Sequence, residues 1–260
     1  MRVLFVADVF GRPGRRALAW GVERERQRAA PDLLIVNGEN AAGGFGITPD
    51  IVRDFLDLGA HVITTGNHVW DKREIYGFLD EEVRLLRPDN YPPGNPGRGL
   101  WTGDAGGVPC AVINLQGRVF MKEIDCPFHR LDALLDEPTA REARVVILDF
   151  HAEATAEKIA MGRYADGRVA AVLGTHTHVP SADPRVLPGG TAYVTDAGMT
   201  GPHGGVIGVE AAAAVERFLR QTPNRFTVAS DDVRFQAVAV EVDDRTGRAV
   251  AIERIDEPLD

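Results

Sequence analysis

Five apolar runs in this chain each lead directly into polar side chains, and this pattern limits the folds open to it. The runs span residues 3–6, 33–36, 61–64, 145–148 and 169–173. Continuous apolar runs of this length are typical of strands that are buried on both faces of a parallel sheet. Open α/β sheets place their ligand sites at the carboxyl ends of such strands. The sequence therefore predicts an α/β protein with a polar site along one sheet edge.

Helical segments separate the early strands, whereas strands dominate the end of the chain. Thr48 fits the N-cap of one such helix and Pro49 its first position. An Asp-Asp-Arg-Thr-Gly turn separates the last two apolar segments, which predicts an antiparallel hairpin. We expect two packed sheets with helices outside, an α/β (α+β) arrangement whose inner core is mostly β. Helices are expected at 15–28, 48–58, 70–79, 128–135, 154–161 and 210–220, and further strands at 108–115, 117–121, 193–194, 234–243 and 249–255.

Length, charge and cysteine content narrow the class of protein. A chain of 260 residues fits one large domain or two small ones, and we favour a single domain over residues 1–260. A net charge of -9 argues against an extended nucleic-acid surface but permits a small anionic ligand held by metal. Cys110 and Cys126 are too few for a disulfide framework or a thiolate metal cluster. With no leader and no membrane-spanning run, we expect a cytoplasmic protein that does not engage membranes.

The polar residues at the strand ends form a mixed set of oxygen and nitrogen ligands. Any one of them alone could cap a helix, form a turn or sit in the core, but their joint placement indicates a metal site. Such a set without cysteine suits manganese, iron or zinc. It also exceeds the needs of one ion, and two ions about 3.5–4 Å apart can clamp the attacking and leaving oxygens of a phosphoryl transfer. The residues are Asp8, Glu39, Asn40, Asn67, His68, His151, His176 and His178.

The polar residues at the strand ends fall within four short motifs, Asn37-Gly38-Glu39-Asn40, Thr65-Gly66-Asn67-His68, His151-Ala152-Glu153-Ala154-Thr155 and Gly174-Thr175-His176-Thr177-His178. An opening Asp-Val-Phe-Gly-Arg-Pro-Gly stretch starts at Asp8, and an Asp-Ala-Gly-Met-Thr-Gly-Pro stretch starts at Asp196. Together these stretches resemble the motifs of the calcineurin-like metallophosphoesterases over nearly the whole chain. Phe10 in place of the usual histidine and Glu39 in place of the usual bridging aspartate depart from the wider superfamily, and both departures resemble its YmdB-like subgroup of bacterial phosphodiesterases.

This resemblance implies a four-layer αββα sandwich of two mixed β-sheets flanked by helices, with a dimetal site at the carboxyl ends of the strands. It implies two metal ions per chain, iron or manganese before zinc, with Glu39 as the bridging ligand. It also implies a small phosphodiester substrate, and among these it favours a nucleoside 2′,3′-cyclic monophosphate. A hydroxide between the ions would attack phosphorus, and His68 would protonate the leaving sugar oxygen. The implied ligands are Asp8, Glu39, Asn40 and His178 for one ion, and Glu39, Asn67, His151 and His176 for the other.

Two other functions remain open from the sequence. The same site could serve a phosphomonoesterase or protein phosphatase, or the protein could regulate by binding a nucleotide with slow turnover. A homo-oligomer is the base-rate expectation for a soluble enzyme, and we expect one here.

Additional polar residues could support the site or have purely structural roles. Arg12 and Arg15 could face an anionic substrate or simply begin a helix. Asp71 could face His68, and Asp196 could orient a histidine or form a turn. Further candidates are Glu153 and Thr155, as supports of His151, and His203, which could reach the substrate.

Overall fold

The computed structural model describes residues 1–259. No helix in that range has the length and apolar character needed to cross a bilayer. The helices are α1 (Gly11–Ala29), α2 (Pro49–Asp57), α3 (Ile75–Glu81), α4 (Pro127–Leu135), α5 (Pro138–Arg141), α6 (Thr155–Ala165) and α7 (Ala211–Arg220). The strands are β1 (Arg2–Val6), β2 (Leu33–Asn37), β3 (Val62–Thr64), β4 (Leu100–Ala105), β5 (Val108–Gln116), β6 (Val145–His151), β7 (Ala171–Thr175), β8 (Arg185–Val186), β9 (Ala192–Val194), β10 (Gly201–Pro202), β11 (Val233–Asp243) and β12 (Arg248–Pro258).

The first sheet joins the two ends of the chain. Its order is β10-β11-β1-β2-β3, and β12 pairs with β11 to complete it. Strands β1, β2 and β3 are parallel, whereas β11 runs antiparallel to β1. Val3 of β1 lies opposite Leu33 of β2 on one side and Val240 of β11 on the other. Strands β11 and β12 form the predicted antiparallel hairpin.

The second sheet has the order β4-β5-β6-β7-β9-β8. Strands β5, β6, β7 and β9 are parallel, and the edge strands β4 and β8 run antiparallel to their neighbours. Both sheets are therefore mixed, as predicted. In each sheet the parallel strands end at one common edge, and the polar residues of the sequence motifs follow those ends.

Alternation along β1 shows how the layers pack. Val3 and Phe5 belong to the core between the two sheets, which also contains Ile147 and Leu173 of the second sheet. Leu4 and Val6 point the other way, into a core shared with α1 and α2. A third core packs α4 and α6 onto the outer face of the second sheet. Helices, two sheets and helices thus form four layers, which confirms the predicted αββα sandwich.

Local differences from the sequence prediction have physical reasons. The strand predicted at 117–121 is wrong, because these residues form an irregular and mostly exposed segment after β5. Helix α3 begins at Ile75 rather than near 70, since tight turns use the preceding residues, including the Asp71 N–H bound to the His68 carbonyl. Strand β4 was not predicted; it is a partly exposed edge strand that follows the proline-rich loop.

Replacing either of two helical glycines with alanine should change the stability of the protein, but in opposite directions. A Cβ at Gly21 of α1 would lie 2.2 Å from the buried Phe235 ring, so Gly21→Ala should destabilise the protein by about 1–3 kcal/mol through overpacking. No atom lies within 4 Å of a Cβ at Gly77 of α3, so Gly77→Ala should stabilise by up to about 1 kcal/mol. Urea denaturation measures both. A shift of the same sign in the two variants would contradict this packing of α1 against β11.

Candidate metal centre

The structure brings all eight predicted site residues to the shared edge of the two sheets. Asp8 follows β1, Glu39 and Asn40 follow β2, and Asn67 and His68 follow β3. His151 ends β6, whereas His176 and His178 follow β7. The two sheets thus contribute candidate ligands from opposite sides of the interface between them.

One cluster forms around His151. Possible ligand atoms of Glu39, His151 and His176 all lie within 4.8 Å of one another. The Nε2 atom of His151 is 3.1 Å from Glu39 Oε1 and 3.1 Å from His176 Nδ1. The same Nε2 is 3.0 Å from Asn67 Oδ1. Four polar side chains therefore converge on one point, as metal ligands do.

A second cluster contains Asp8, Glu39 and His178, with ligand atoms again within 4.8 Å of one another. His178 Nε2 lies 3.4 Å from Asp8 Oδ2 and 3.2 Å from Asn40 Oδ1. The Asn40 amide nitrogen donates to the Gly44 carbonyl, which turns its oxygen toward the cluster. Glu39 belongs to both clusters, so its carboxylate can contact two neighbouring cations.

Unpartnered oxygens show that these residues fit metal ions. Asp8 Oδ1 and Glu39 Oε1 are buried and accept no hydrogen bond among residues 1–259. Glu39 Oε1 does lie close to His151 Nε2, but this contact lacks hydrogen-bond geometry. Buried carboxylate oxygens without donors are costly, and a cation removes that cost.

Hydrogen bonds fix which ring nitrogen of His151 and of His178 faces the clusters. His151 Nδ1 is 2.8 Å from Thr175 Oγ1, and the Thr175 hydroxyl donates to Asp149 over 2.7 Å. This chain assigns the His151 proton to Nδ1 and leaves the Nε2 lone pair for a cation. In the same way, His178 Nδ1 donates to the Ile207 carbonyl over 3.1 Å, which leaves its Nε2 free.

Asp149 was missed in the sequence analysis, although it organises the site. Its carboxylate is fully buried and accepts hydrogen bonds from Asn37 Nδ2 at 2.9 Å, Thr64 Oγ1 at 2.5 Å and Thr175 Oγ1 at 2.7 Å. These donors lie on β2, β3 and β7, so one carboxylate on β6 connects both sheets. The available signal was a carboxylate directly after the apolar run that ends at Leu148.

Burial and opposite charge set the ionisation of the site. Burial raises the pKa of the Asp149 carboxyl to about 6. Burial alone would raise the pKa of Glu39, but the attraction between its carboxylate and His151 outweighs burial and lowers the Glu39 pKa to about 2. Burial alone would lower the pKa of His151, but the attraction to the Glu39 carboxylate outweighs burial and raises the His151 pKa to about 9. Burial and His151 together lower the pKa of His176 to about 3. A cation beside Glu39 would take over the compensating charge from His151.

The loop that carries His176 and His178 is held in an unusual backbone conformation. Both residues have positive φ, 102° and 64°, which is costly for residues other than glycine. Asp196 accepts from the Thr177 N–H at 3.1 Å and from its hydroxyl at 2.8 Å. The buried Lys158 ammonium lies 2.6 Å from the same carboxylate. Asp196 therefore orients the histidines through Thr177 rather than by touching either ring.

His68 lies beside the two clusters and lines a cleft of about 510 Å³. Its Nδ1 is 2.7 Å from Asp71 Oδ2, and its ring packs edge-on against Phe45 at 5.0 Å between centroids. Its backbone N–H donates to Glu39 Oε2 over 3.2 Å. These contacts orient the ring and leave Nε2 for a bound ligand.

Several weaker candidates lie outside the cleft. The Arg15 guanidinium donates to the Ala41 carbonyl, which braces the glycine-rich loop after β2. Arg12 is exposed and, like Arg15, does not line the cleft. His203 Nε2 donates to the Met199 carbonyl over 2.9 Å, so it serves loop packing.

The two supports expected for His151 do not contact it. Glu153 lines the cleft, but its Oε2 lies 3.1 Å from His176 Nε2. Thr155 is exposed at the first position of α6. Thr175 and Asp149 hold the His151 ring instead.

Removing the hydroxyl that holds His151 should weaken metal binding. Thr175→Val leaves the His151 Nδ1–H without its acceptor, and loss of such a support lowers metal affinity about 10–100-fold. Thr191→Val is the matched control, because its equally buried hydroxyl binds the Val169 carbonyl away from the site. Both variants should lose about 1–3 kcal/mol of stability. Calorimetric titration with Mn²⁺ measures the affinity, and equal affinities in the two variants would contradict the assigned support.

Comparisons with known proteins agree over nearly the whole chain. The YmdB-like protein family model matches residues 4–255. The 2′,3′-cyclic-nucleotide 2′-phosphodiesterase of Bacillus subtilis (strain 168) is 48% identical over 255 residues, which cover 98% of this chain and 96% of that protein. A hypothetical protein from Thermus thermophilus has a solved structure with a TM-score of 0.92 and 44% identity, covering 99% of both chains.

A solved structure described as a novel phosphatase from Mycoplasma pneumoniae has a TM-score of 0.93 and 32% identity, covering 99% of this chain and 93% of that one. These matches confirm the resemblance indicated by the motifs. The chain belongs to the YmdB-like family, within the metallophosphoesterase fold.

Proposed function

We propose that this protein is a dimetal phosphodiesterase that hydrolyses nucleoside 2′,3′-cyclic monophosphates. The observation that carries the proposal is the position of Glu39, which one ligand cluster shares with the other. A carboxylate common to two ligand sets can contact two adjacent cations, as a two-metal site allows. The substrate follows from the name of the Bacillus subtilis relative, which matches almost the full length of this chain.

The ligand assignment follows the two clusters. Asp8 and Glu39 supply buried carboxylates with unpartnered oxygens, and the histidines supply lone pairs that their hydrogen bonds leave free. Nitrogen and oxygen ligands without thiolates suit iron or manganese and tolerate zinc. One ion would be held by Asp8, Glu39, Asn40 and His178, and the other by Glu39, Asn67, His151 and His176.

The reaction adds water to the cyclic phosphate. Metal ions at such a site activate water and neutralise charge on the phosphoryl oxygens. A new bond forms between the water oxygen and phosphorus, and the bond from phosphorus to the 2′ oxygen breaks. The departing 2′ oxygen takes up a proton, which yields a nucleoside 3′-monophosphate.

His68 would deliver that proton. Asp71 holds its Nδ1 and Phe45 packs against its ring, so Nε2 is the nitrogen available to the substrate. Imidazole is suited to this role because its charge changes near neutral pH. The contact between the His68 N–H and Glu39 ties the proton donor to the shared ligand.

Replacement of His68 tests this role directly. His68→Ala should lower kcat for 2′,3′-cyclic AMP by roughly 100-fold or more, because a general acid contributes about 10²–10⁴-fold. Bound metal should remain unchanged, since His68 is outside both ligand clusters. His129→Ala, an exposed histidine on α4, is the matched control and should retain full activity.

The remaining outcomes separate the proposal from its rivals. Unchanged turnover in His68→Ala would remove this residue from the mechanism. Absence of turnover with manganese, iron and zinc alike would refute the phosphodiesterase and leave nucleotide binding as the function. Faster hydrolysis of a phosphomonoester than of 2′,3′-cyclic AMP would favour a phosphatase, the description given to the Mycoplasma pneumoniae relative.

A further inference from the structure

The cleft extends beyond the metal ligands to a second, largely apolar wall. Its lining includes the candidate metal ligands Glu39, His176 and His178, together with residues of α7 and of the segments that flank this helix. The volume of about 510 Å³ falls within the range of roughly 300–1,000 Å³ that is typical of small-molecule sites. A phosphoryl group alone would occupy only the metal end. The rest of the cleft is therefore available to the remainder of the substrate.

Phe218 on α7 presents an aromatic ring to this cleft. Its side chain is 73% exposed, yet it lines the cavity that contains the metal ligands. Its neighbour Leu219 is 79% exposed and does not line the cavity. An exposed aromatic face is costly in water but provides a stacking surface for a nucleobase.

Arg217 lies on the same wall and is held by an aromatic contact. Its guanidinium carbon is 5.1 Å from the centre of the Phe226 ring, and both residues line the cleft. Within residues 1–259 its guanidinium has no carboxylate partner. Arginine N–H groups pair in a bidentate manner with O6 and N7 of guanine, whereas the same edge of adenine combines the N7 acceptor with an N6 donor.

We propose that Phe218 and Arg217 form the nucleobase subsite of this cleft. The base stacks on the Phe218 ring, and Arg217 donates to the O6 and N7 edge of guanine. This assignment rests on the proposed phosphodiesterase function and adds a preference for guanine over adenine nucleotides. It also explains why one exposed aromatic faces the cleft, whereas an exposed aliphatic neighbour does not.

A substrate without a base isolates this contribution. Glycerol 1,2-cyclic phosphate has the same five-membered cyclic diester as 2′,3′-cyclic AMP but no base. Phe218→Ala should raise KM for 2′,3′-cyclic AMP roughly tenfold or more, with kcat nearly unchanged, because a stacking contact is lost. It should leave kcat/KM for glycerol 1,2-cyclic phosphate unchanged. Leu219→Ala is the matched control and should leave KM unchanged for both substrates.

Arg217→Gln gives a second readout. It should reduce the ratio of kcat/KM for 2′,3′-cyclic GMP to that for 2′,3′-cyclic AMP, because the lost donors serve the guanine edge and glutamine instead pairs with adenine. An unchanged ratio would overturn the role of Arg217. Equal rises in KM for Phe218→Ala and Leu219→Ala, or an equal loss on the base-free substrate, would overturn the subsite and indicate that α7 is a structural or self-association surface.

Failure of the proposed function can be recognised separately. If the wild-type protein hydrolyses neither cyclic phosphate, the phosphodiesterase proposal fails. Calorimetric binding of adenosine 3′-monophosphate then decides the subsite. Binding weakened by Phe218→Ala but not by Leu219→Ala supports it, and equal binding overturns it.

Discussion

The buried carboxylate of Asp149 is the constraint on which the site depends. It lies on β6 of the second sheet and accepts hydrogen bonds from Asn37 and Thr64 of the first sheet. It also accepts from Thr175, which holds the ring of His151. Because a buried carboxylate must keep its donors, these contacts fix how the sheet edges meet. The ligands that follow β2, β3 and β7 are positioned by the same contacts.

The site concentrates negative charge that the fold alone does not neutralise. Asp8 and Glu39 are buried with unpartnered oxygens, and within the described chain the nearest basic groups are the site histidines. Bound cations would supply the missing charge, and metal binding would then stabilise this edge of the fold. The positive φ values of His176 and His178 add a further local cost, which the buried Lys158–Asp196 pair counteracts through Thr177.

Local sequence signals predicted the parallel strands and the residues at their ends. Continuous apolar runs identified β1, β2 and β6, and residues directly after such strands must meet at one edge of a parallel sheet. The hydrogen bonds by which Asp149 connects the two sheets could not be predicted in this way. It depends on the register that places Asp149 beside Leu173 and on the packing of one sheet on the other. The cleft wall at Phe218 was missed for the same reason, because an exposed aromatic on a helix has no local signal for what it faces.

Metal stoichiometry tests the central claim, that Glu39 joins two cations in one centre. Wild-type protein should bind two equivalents of Mn²⁺ per chain, measured by elemental analysis after equilibrium dialysis. Glu39→Gln should retain less than one equivalent under the same conditions, because both clusters lose their shared carboxylate. Glu25→Gln is the matched control and should retain two, because it changes an equally buried carboxylate that pairs with Arg2 and belongs to neither cluster. Two equivalents retained by Glu39→Gln, or one at most in the wild type, would contradict the shared centre.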